Sequence, residues 1–399
     1  MSDTQRFWNV VAMALAAIAL HAGDAVSQLV TDAEPMDACE VLRLGDGLDV
    51  PEWLAFTRAP GLMVDATGRV YVREGQVAEI TVLDSDGSYV RTIGGKGEGP
   101  GEFVFIRDMG FAGDTLWLQN WPMLHTSFFD SAGVHLKTEA DHGPPSVSPQ
   151  TQRTSIPLAG GRGFYIPASG PHDEARVRLP ITVGSRSDEA RDTLVFRFDD
   201  TNMSIAGVGV WAFSATVTPP IHRIDPEGNG IVIADWAPDR PETVTIRRSD
   251  EYGRLTRETA IGATPRPIPS SVKREFIEEG MKKAKGAYES ARQSGQEVPG
   301  SLRAAVEEGL LLPDYYAPVR SMLVTRAGRI WLRETTTEDI HEGQWVVLGP
   351  NGEAEFRVTA PHGAVFRAID GDRVWATRTN EVDVPFIVLY ELVRPGGCG

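Results

Sequence analysis

Cysteine is nearly absent from these 399 residues: there are two, Cys39 and Cys398. That excludes a disulfide-dense scaffold and a cysteine-built zinc site. Sitting near the two ends, the pair predicts a staple between termini in an oxidising compartment; two free thiols at frayed ends are the alternative. Long apolar runs are scarce as well. Trp8 to Leu20 is about 13 residues, short for a bilayer span. With Arg6 before it and Ala22-Gly23-Asp24-Ala25 after it, this stretch predicts a secretory signal over 1–25, against the alternative of an uncleaved tether. The mature chain is therefore expected to have no membrane span and to be secreted or periplasmic. Positive charge is in deficit, 39 Lys and Arg against 55 Asp and Glu, for a net charge of -16. A general nucleic-acid binder, which must neutralise phosphates, is excluded on that ground.

Chemical motifs are equally thin. The histidines form no pair at metal-ligand spacing, so zinc catalysis is not predicted. Ser204, Ser214 and Ser321 lack a nucleophile elbow or a triad context. The glycine-rich run from Gly94 to Phe103 has neither the spacing nor the following helix of a phosphate-binding loop. It reads as a tight crossing between two sheets, with Phe103 filling the space between them.

What is present is a repeated phrase: Gly68-Arg69-Val70-Tyr71-Val72, Gly113-Asp114-Thr115-Leu116-Trp117-Leu118, Gly161-Arg162-Gly163-Phe164-Tyr165-Ile166, Gly228-Asn229-Gly230-Ile231-Val232-Ile233, Gly328-Arg329-Ile330-Trp331-Leu332 and Gly371-Asp372-Arg373-Val374-Trp375-Ala376. Each is a glycine turn leading into a buried strand. The intervals between Tyr71, Trp117, Tyr165, Val232, Trp331 and Trp375 are about 46, 48, 67, 99 and 44 residues, and the shortest match a four-stranded propeller blade. The expected fold is all-β, a six-bladed β-propeller over 39–395. Residues 40–44 supply the strand that closes the last blade, which would also bring Cys39 toward Cys398.

A helical insertion is expected over 265–316, between blades four and five. Val272, Phe276, Gly280, Ala284, Tyr288 and Ala291 recur at helical spacing, and Ser301 reads as the N-cap of a second helix. The insertion is either a lid or partner-docking element, or a decoration packed over strand ends.

The run Ile80-Thr81-Val82-Leu83-Asp84 through Gly87, then Tyr89 to Gly94, then Gly97 to Phe103, resembles the NHL-repeat propellers, in particular secreted bacterial six-bladed members. The resemblance extends over residues 56–112. It implies a scaffold used for binding and, in some relatives, for lyase or lactonase chemistry. The metal histidines of the lyase relatives have no counterpart here, so no catalytic residue is carried over.

Innermost strands of a propeller surround a channel, and near them stand Arg58, Arg107 with Asp108, His222 with Arg223, Arg320 and Arg367, with Arg153 as a further candidate. A ring of guanidiniums inside an acidic protein would bind carboxylate, sulfate or phosphate. The alternative is scattered arginines paired with neighbouring acids. No cofactor is predicted; channel calcium, with Asp108, Asp235 and Asn380 as oxygen donors, stays open. The expected function is an exported binding or interaction protein that takes an unknown protein or a small anionic ligand at the channel mouth. The alternative is a propeller hydrolase or lyase, such as a metal-dependent lactonase.

Overall fold

The structure, a computed structural model, describes residues 29–398 apart from 48–49, 75–76, 122–124, 141–153, 167–177, 186–190, 199–201, 206–207, 212–219, 296–297, 299, 310–311 and 336–342. The predicted signal, Arg153 and Ser214 lie outside the described residues. After β1 (Glu34–Leu44) come two antiparallel meanders, β2 to β5 (Gly61–Val64, Val70–Arg73, Glu79–Leu83, Tyr89–Gly94) and β6 to β9 (Ile106–Ala112, Thr115–Asn120, His125–Phe129, His135–Ala140). A third follows, β10 to β13 (Thr154–Pro157, Arg162–Ile166, Arg178–Ser185, Arg191–Phe198), then the ribbon β14 and β15 (Asn202–Ile205, Val208–Trp211). The fourth meander is β16 to β19 (Ile221–Ile224, Gly230–Trp236, Thr243–Asp250, Leu255–Gly262). Beyond it lie helices α1 (Ser270–Gln293) and α2 (Leu302–Gly309). The chain ends with β20 to β23 (Val319–Val324, Ile330–Glu334, Gln344–Leu348, Ala354–Thr359) and β24 to β26 (Val365–Asp370, Arg373–Thr379, Pro385–Val393).

These last seven strands and β1 form one eight-stranded sheet in the order β20-β21-β22-β23-β1-β26-β25-β24. The first part of β1 pairs parallel with β23, Glu34 opposite Phe356 and Met36 opposite Val358. The second part pairs antiparallel with β26, from Asp37 opposite Val393 to Leu44 opposite Ile387. One strand thus satisfies two sheet edges at once. The expectation of six separate blades is corrected accordingly: among the described residues there are four separate four-stranded blades, and apart from the β14–β15 ribbon the remaining strands are continuous through β1. The segment responsible, Glu34–Met36, pairs over only three residues, one of them a proline, too few to show the period-two pattern that marks a strand in sequence.

The helices are also relocated. They follow the fourth four-stranded blade and precede the eight-stranded sheet, rather than lying between a fourth and a fifth separate blade. Val272, Gly280, Ala284, Tyr288 and Ala291 form the buried face of α1. Ala284 and Tyr288 meet Ala305 and Val306 of α2, and the Ser301 hydroxyl caps α2 by accepting the Ala304 N–H at 3.1 Å. The helix pair packs on the β14–β15 ribbon, so two insertions from different places in the chain assemble into one unit.

The second strand of each sheet explains the repeated phrase. In β17, Ile231 and Ile233 face Phe164 and Val183 of the third blade, whereas Val232 and Ala234 face Val319, Met322 and Leu332. In β3, Tyr71 packs toward Ile106 and Leu116 while Val70 and Val72 pack toward Trp375 and Leu389. Both faces of these strands are covered, so their central positions form a continuous apolar run, Val70–Val72 in β3 and Ile231–Ala234 in β17. Apolar layers between neighbouring sheets hold the ring together.

The hairpins on the third strands share one geometry. Asp84-Ser85-Asp86-Gly87 closes with Gly87 N–H donating to the Asp84 carbonyl at 2.9 Å, and Gly87 has a φ of 86°. The pairing shifts by one residue between Val82 and Leu83, the bulge such a three-residue loop produces. A Cβ on Gly87 would lie 2.8 Å from Leu42 Cδ2 and 3.0 Å from Leu44 Cδ1 of β1. Gly87→Ala is therefore expected to destabilise the fold by about 1–3 kcal/mol through backbone strain and displacement of β1. An unchanged midpoint in chemical denaturation would refute this.

Candidate functional site

The first strands of the four separate blades, β2, β6, β10 and β16, and the edge strands β20 and β24 surround a cavity of about 450 Å³. The two edges of the eight-stranded sheet meet there, because that sheet folds back until β20 contacts β24. Asp108, His222, Arg223 and Arg367 of the expected set line the cavity. Arg58, Arg107 and Arg320 are exposed and lie outside its lining. Arg107 rests with its guanidinium carbon 5.2 Å from the centre of the Trp121 ring.

Three of these arginines share a backbone feature. The register shifts between Ile106 and Asp108, between Val319 and Ser321, and between Phe366 and Ala368. The extra residue in each case is an arginine: Arg107, Arg320 and Arg367. A bulge breaks the in-out alternation of a strand and re-aims the side chain it carries. Of the three, only Arg367 is turned into the cavity wall.

Arg73 and Arg326 also line the cavity and were missed from sequence. Arg73 ends the second strand β3, directly opposite Gly61 of β2. A Cβ on Gly61 would lie 3.2 Å from Arg73 Nη2, so the missing side chain opens the route by which Arg73 reaches the wall. A glycine paired with a charged residue at a strand end is the signal that could have found it.

The two ends of the cavity differ in charge. At the end where the first strands begin, Arg73 Nη1 donates to the Ile106 carbonyl at 3.2 Å, Arg223 Nη1 to the His222 carbonyl at 2.9 Å, and Arg367 Nε to the Thr377 hydroxyl at 3.1 Å. These bonds go to neutral oxygens, which leaves the positive charge of the group in place. Asp108 is the carboxylate among them, and it accepts the Met109 N–H at 2.9 Å. At the other end Arg326 pairs with Glu227 at 3.1 Å, donates to the Val64 carbonyl at 3.3 Å and lies 5.8 Å over the Phe111 ring. It ties together turns from three sheets and narrows that end.

Burial pushes the Asp108 carboxyl above its ordinary pKa, against the pull of the Met109 N–H and of Arg73, Arg107 and Arg223. Burial lowers Arg223, with Asp108 opposing. Arg367 is lowered first by burial and then by the like charges of Arg333 and Arg73. Arg223 has surface open to the cavity while protein surrounds it, so it is accessible and desolvated together. Four arginines, Arg73, Arg223, Arg326 and Arg367, stand against three lining carboxylates, Asp108, Asp225 and Asp370, which keeps the local field positive inside an acidic protein.

The calcium donors considered from sequence do not converge. Asp235 pairs with Arg247 at 3.0 Å, and Asn380 accepts the Val382 and Val384 N–H groups of the β25–β26 hairpin. Among the described residues no group of three or more His, Cys, Asp or Glu side chains is placed to hold a metal ion. No helix among them is long and apolar enough to cross a membrane. Cys39 and Cys398 are joined in a disulfide.

Fold and cavity together define a β-propeller chain with an arginine-lined axial cavity. Residues 57–112 match the model of a family described as a 6-bladed beta-propeller. That model is not an NHL-repeat model, so the expected NHL resemblance is corrected: the turn-and-strand phrase answers to any stacked four-stranded sheet and does not distinguish the families that use it. No curated protein matches the chain. Among solved structures, the chain is similar to a Bacteroides fragilis protein described as exported, with 11% identity, a TM-score of 0.46, and coverage of 94% of this chain and 97% of that one. It is similar to a duf4221 family member from Bacteroides vulgatus, with 9% identity, a TM-score of 0.49 and coverage of 92% and 99%. The calcium-binding protein regucalcin from Agrobacterium tumefaciens is similar at 12% identity, a TM-score of 0.40 and coverage of 90% and 96%.

Proposed function

We propose that this chain is an exported binding protein that takes a small anionic ligand into its axial cavity. The observation that supports it best is the set of Arg73, Arg223 and Arg367 at one end, bonded to neutral oxygens, with Asp108 as their carboxylate. A carboxylate, sulfate or phosphate would complete that set with charge-assisted hydrogen bonds. The disulfide supports an oxidising compartment. A hydrolase or lyase is the second reading, favoured by Asp108, whose raised pKa would let it exchange a proton with a bound acid. A metal-dependent lactonase is not favoured, because the described donors do not group around a metal position.

Calorimetric titration with acetate, succinate, phosphate and sulfate tests the reading, and proton NMR of the same mixtures reports turnover. Affinity is expected to rise as pH falls through the Asp108 pKa, since protonation removes the negative charge among the arginines. The sign for stability is the same: a carboxyl raised on folding contributes stability that is present below its unfolded value of 3.8 and lost as pH rises through the folded value. Asp225, also in the cavity lining, is raised by burial too and loses its charge in the same direction, so Asp108→Asn removes one of the two acidic steps and any rise that remains belongs to Asp225. Absence of binding by every anion at pH 5 would overturn the proposal. Turnover lost in Asp108→Asn with binding retained would replace it by the lyase reading.

A further inference from the structure

Two strands around the cavity carry the same order of side chains. In β16 the run is Arg223, Ile224 and then Asp225 directly after the strand; in β24 it is Arg367, Ile369 and Asp370. All of these residues line the cavity. Both strands start at the cationic end, so their carboxylates belong to the far end, roughly 7 Å beyond Arg223 and roughly 10 Å beyond Arg367 along a strand. Arg326 also lies there, but it is already paired with Glu227. The far end is therefore net negative, opposite in sign to the end that holds Arg73, Arg223 and Arg367.

Between the charged ends every strand adds an apolar side chain to the wall. Met63 of β2, Met109 of β6, Ile156 of β10, Ile224 of β16, Val324 of β20 and Ile369 of β24 all line the cavity. Each packs on one side against a buried apolar cluster, and none is fully buried, so each keeps surface for a ligand. Resting on the anion-binding reading above, we infer that the ligand is a monocarboxylate with an uncharged aliphatic body about as long as the separation of the two ends. Arg73, Arg223 and Arg367 hold the acid, and the apolar belt holds the body. An inorganic anion or acetate would fill the cationic end and leave the belt in contact with water. A dicarboxylate of the same length would bring its second charge against Asp225 and Asp370, and like charges set together in a cavity disfavour that ligand.

Calorimetry on the full chain at neutral pH compares hexanoate with acetate, which lacks the body, with adipate, which adds a second carboxylate at the same length, and with hexan-1-ol, which lacks the acid. Hexanoate is expected to bind about a hundredfold more tightly than acetate, because its longer chain leaves water, and with a more negative heat-capacity change. Adipate is expected to bind at least about tenfold more weakly than hexanoate, and Asp370→Asn to narrow that gap. Hexan-1-ol is expected to bind more weakly than hexanoate. If Asp370→Asn fails to fold, the wild-type comparisons decide. Acetate or adipate binding as tightly as hexanoate, or a gap that Asp370→Asn leaves unmoved, overturns this inference and leaves the anion-binding reading standing. Hexan-1-ol binding as tightly as hexanoate, or binding of none of the four at neutral pH or at pH 5, overturns both.

Discussion

Arg223→Met with Arg367→Met is expected to abolish anion binding in the axial cavity. Each substitution removes a cationic donor from the cavity lining, Arg367 partly buried in the wall and Arg223 with surface open to the cavity. A hydrogen bond to a charged group contributes about 1.5–3 kcal/mol, so each change should weaken binding by about 10- to 100-fold. Methionine keeps much of the stem volume, and removing one of several crowded like charges relieves repulsion around Arg73 and Arg333. The double variant should therefore fold at least as stably as the wild type while losing the ligand. Arg58→Met serves as the comparison, because Arg58 is exposed and outside the cavity wall. Titration of the three proteins checks this, and an affinity for phosphate and carboxylates that survives in the double variant would remove the arginine cluster as the binding element.

Breaking the disulfide is expected to have the largest effect on stability. Cys39 and Cys398 are separated by 359 residues, and a cross-link over so long a loop restricts the unfolded chain strongly. The expected loss on Cys39→Ser with Cys398→Ser is about 2–5 kcal/mol. The native contribution is local as well. Cys39 lies within β1 opposite Glu391, and beside it the Gly396 N–H donates to Asp37 at 2.7 Å. Because β1 is the strand that joins β23 to β26, loosening it opens the eight-stranded sheet in its middle. Hydrogen exchange should therefore speed up first at Glu34–Leu44 and along β26, before the four separate blades respond. A denaturation midpoint that does not move on reduction would show that backbone pairing alone holds the strand.

Several parts of the site could be found along the chain, and several could not. His222 and Arg223 were legible because β16 is regular: all four of its residues pair in register with β17, and the turn after it is marked by Asp225 and Gly228. Arg107, Arg320 and Arg367 were legible as a recurring residue but not as a direction. Each sits in a bulge, and one extra residue reverses which side of a strand faces the cavity. Arg73 was hidden for a different reason. It belongs to a second strand, and it reaches the cavity only because Gly61 happens to stand opposite it in register. Register between strands cannot be read from either strand alone.

The same division runs through the fold. The amino-acid sequence by itself determined the four-stranded unit, through glycine turns at short intervals and apolar runs that need cover on both faces. It also determined the buried stripe of α1 and the availability of two cysteines for one bond. Those are local properties, decided by backbone conformation and side-chain type within a few residues. Only the tertiary structure decided that β1 would bridge two sheet edges and merge their strands, that the two insertions would pack together, and that one end of the cavity would be cationic while the other is narrowed by Arg326. Each of those outcomes depends on which distant segments come to share an edge, a face or a field, and pairing energies of that kind are realised only when the whole chain has closed.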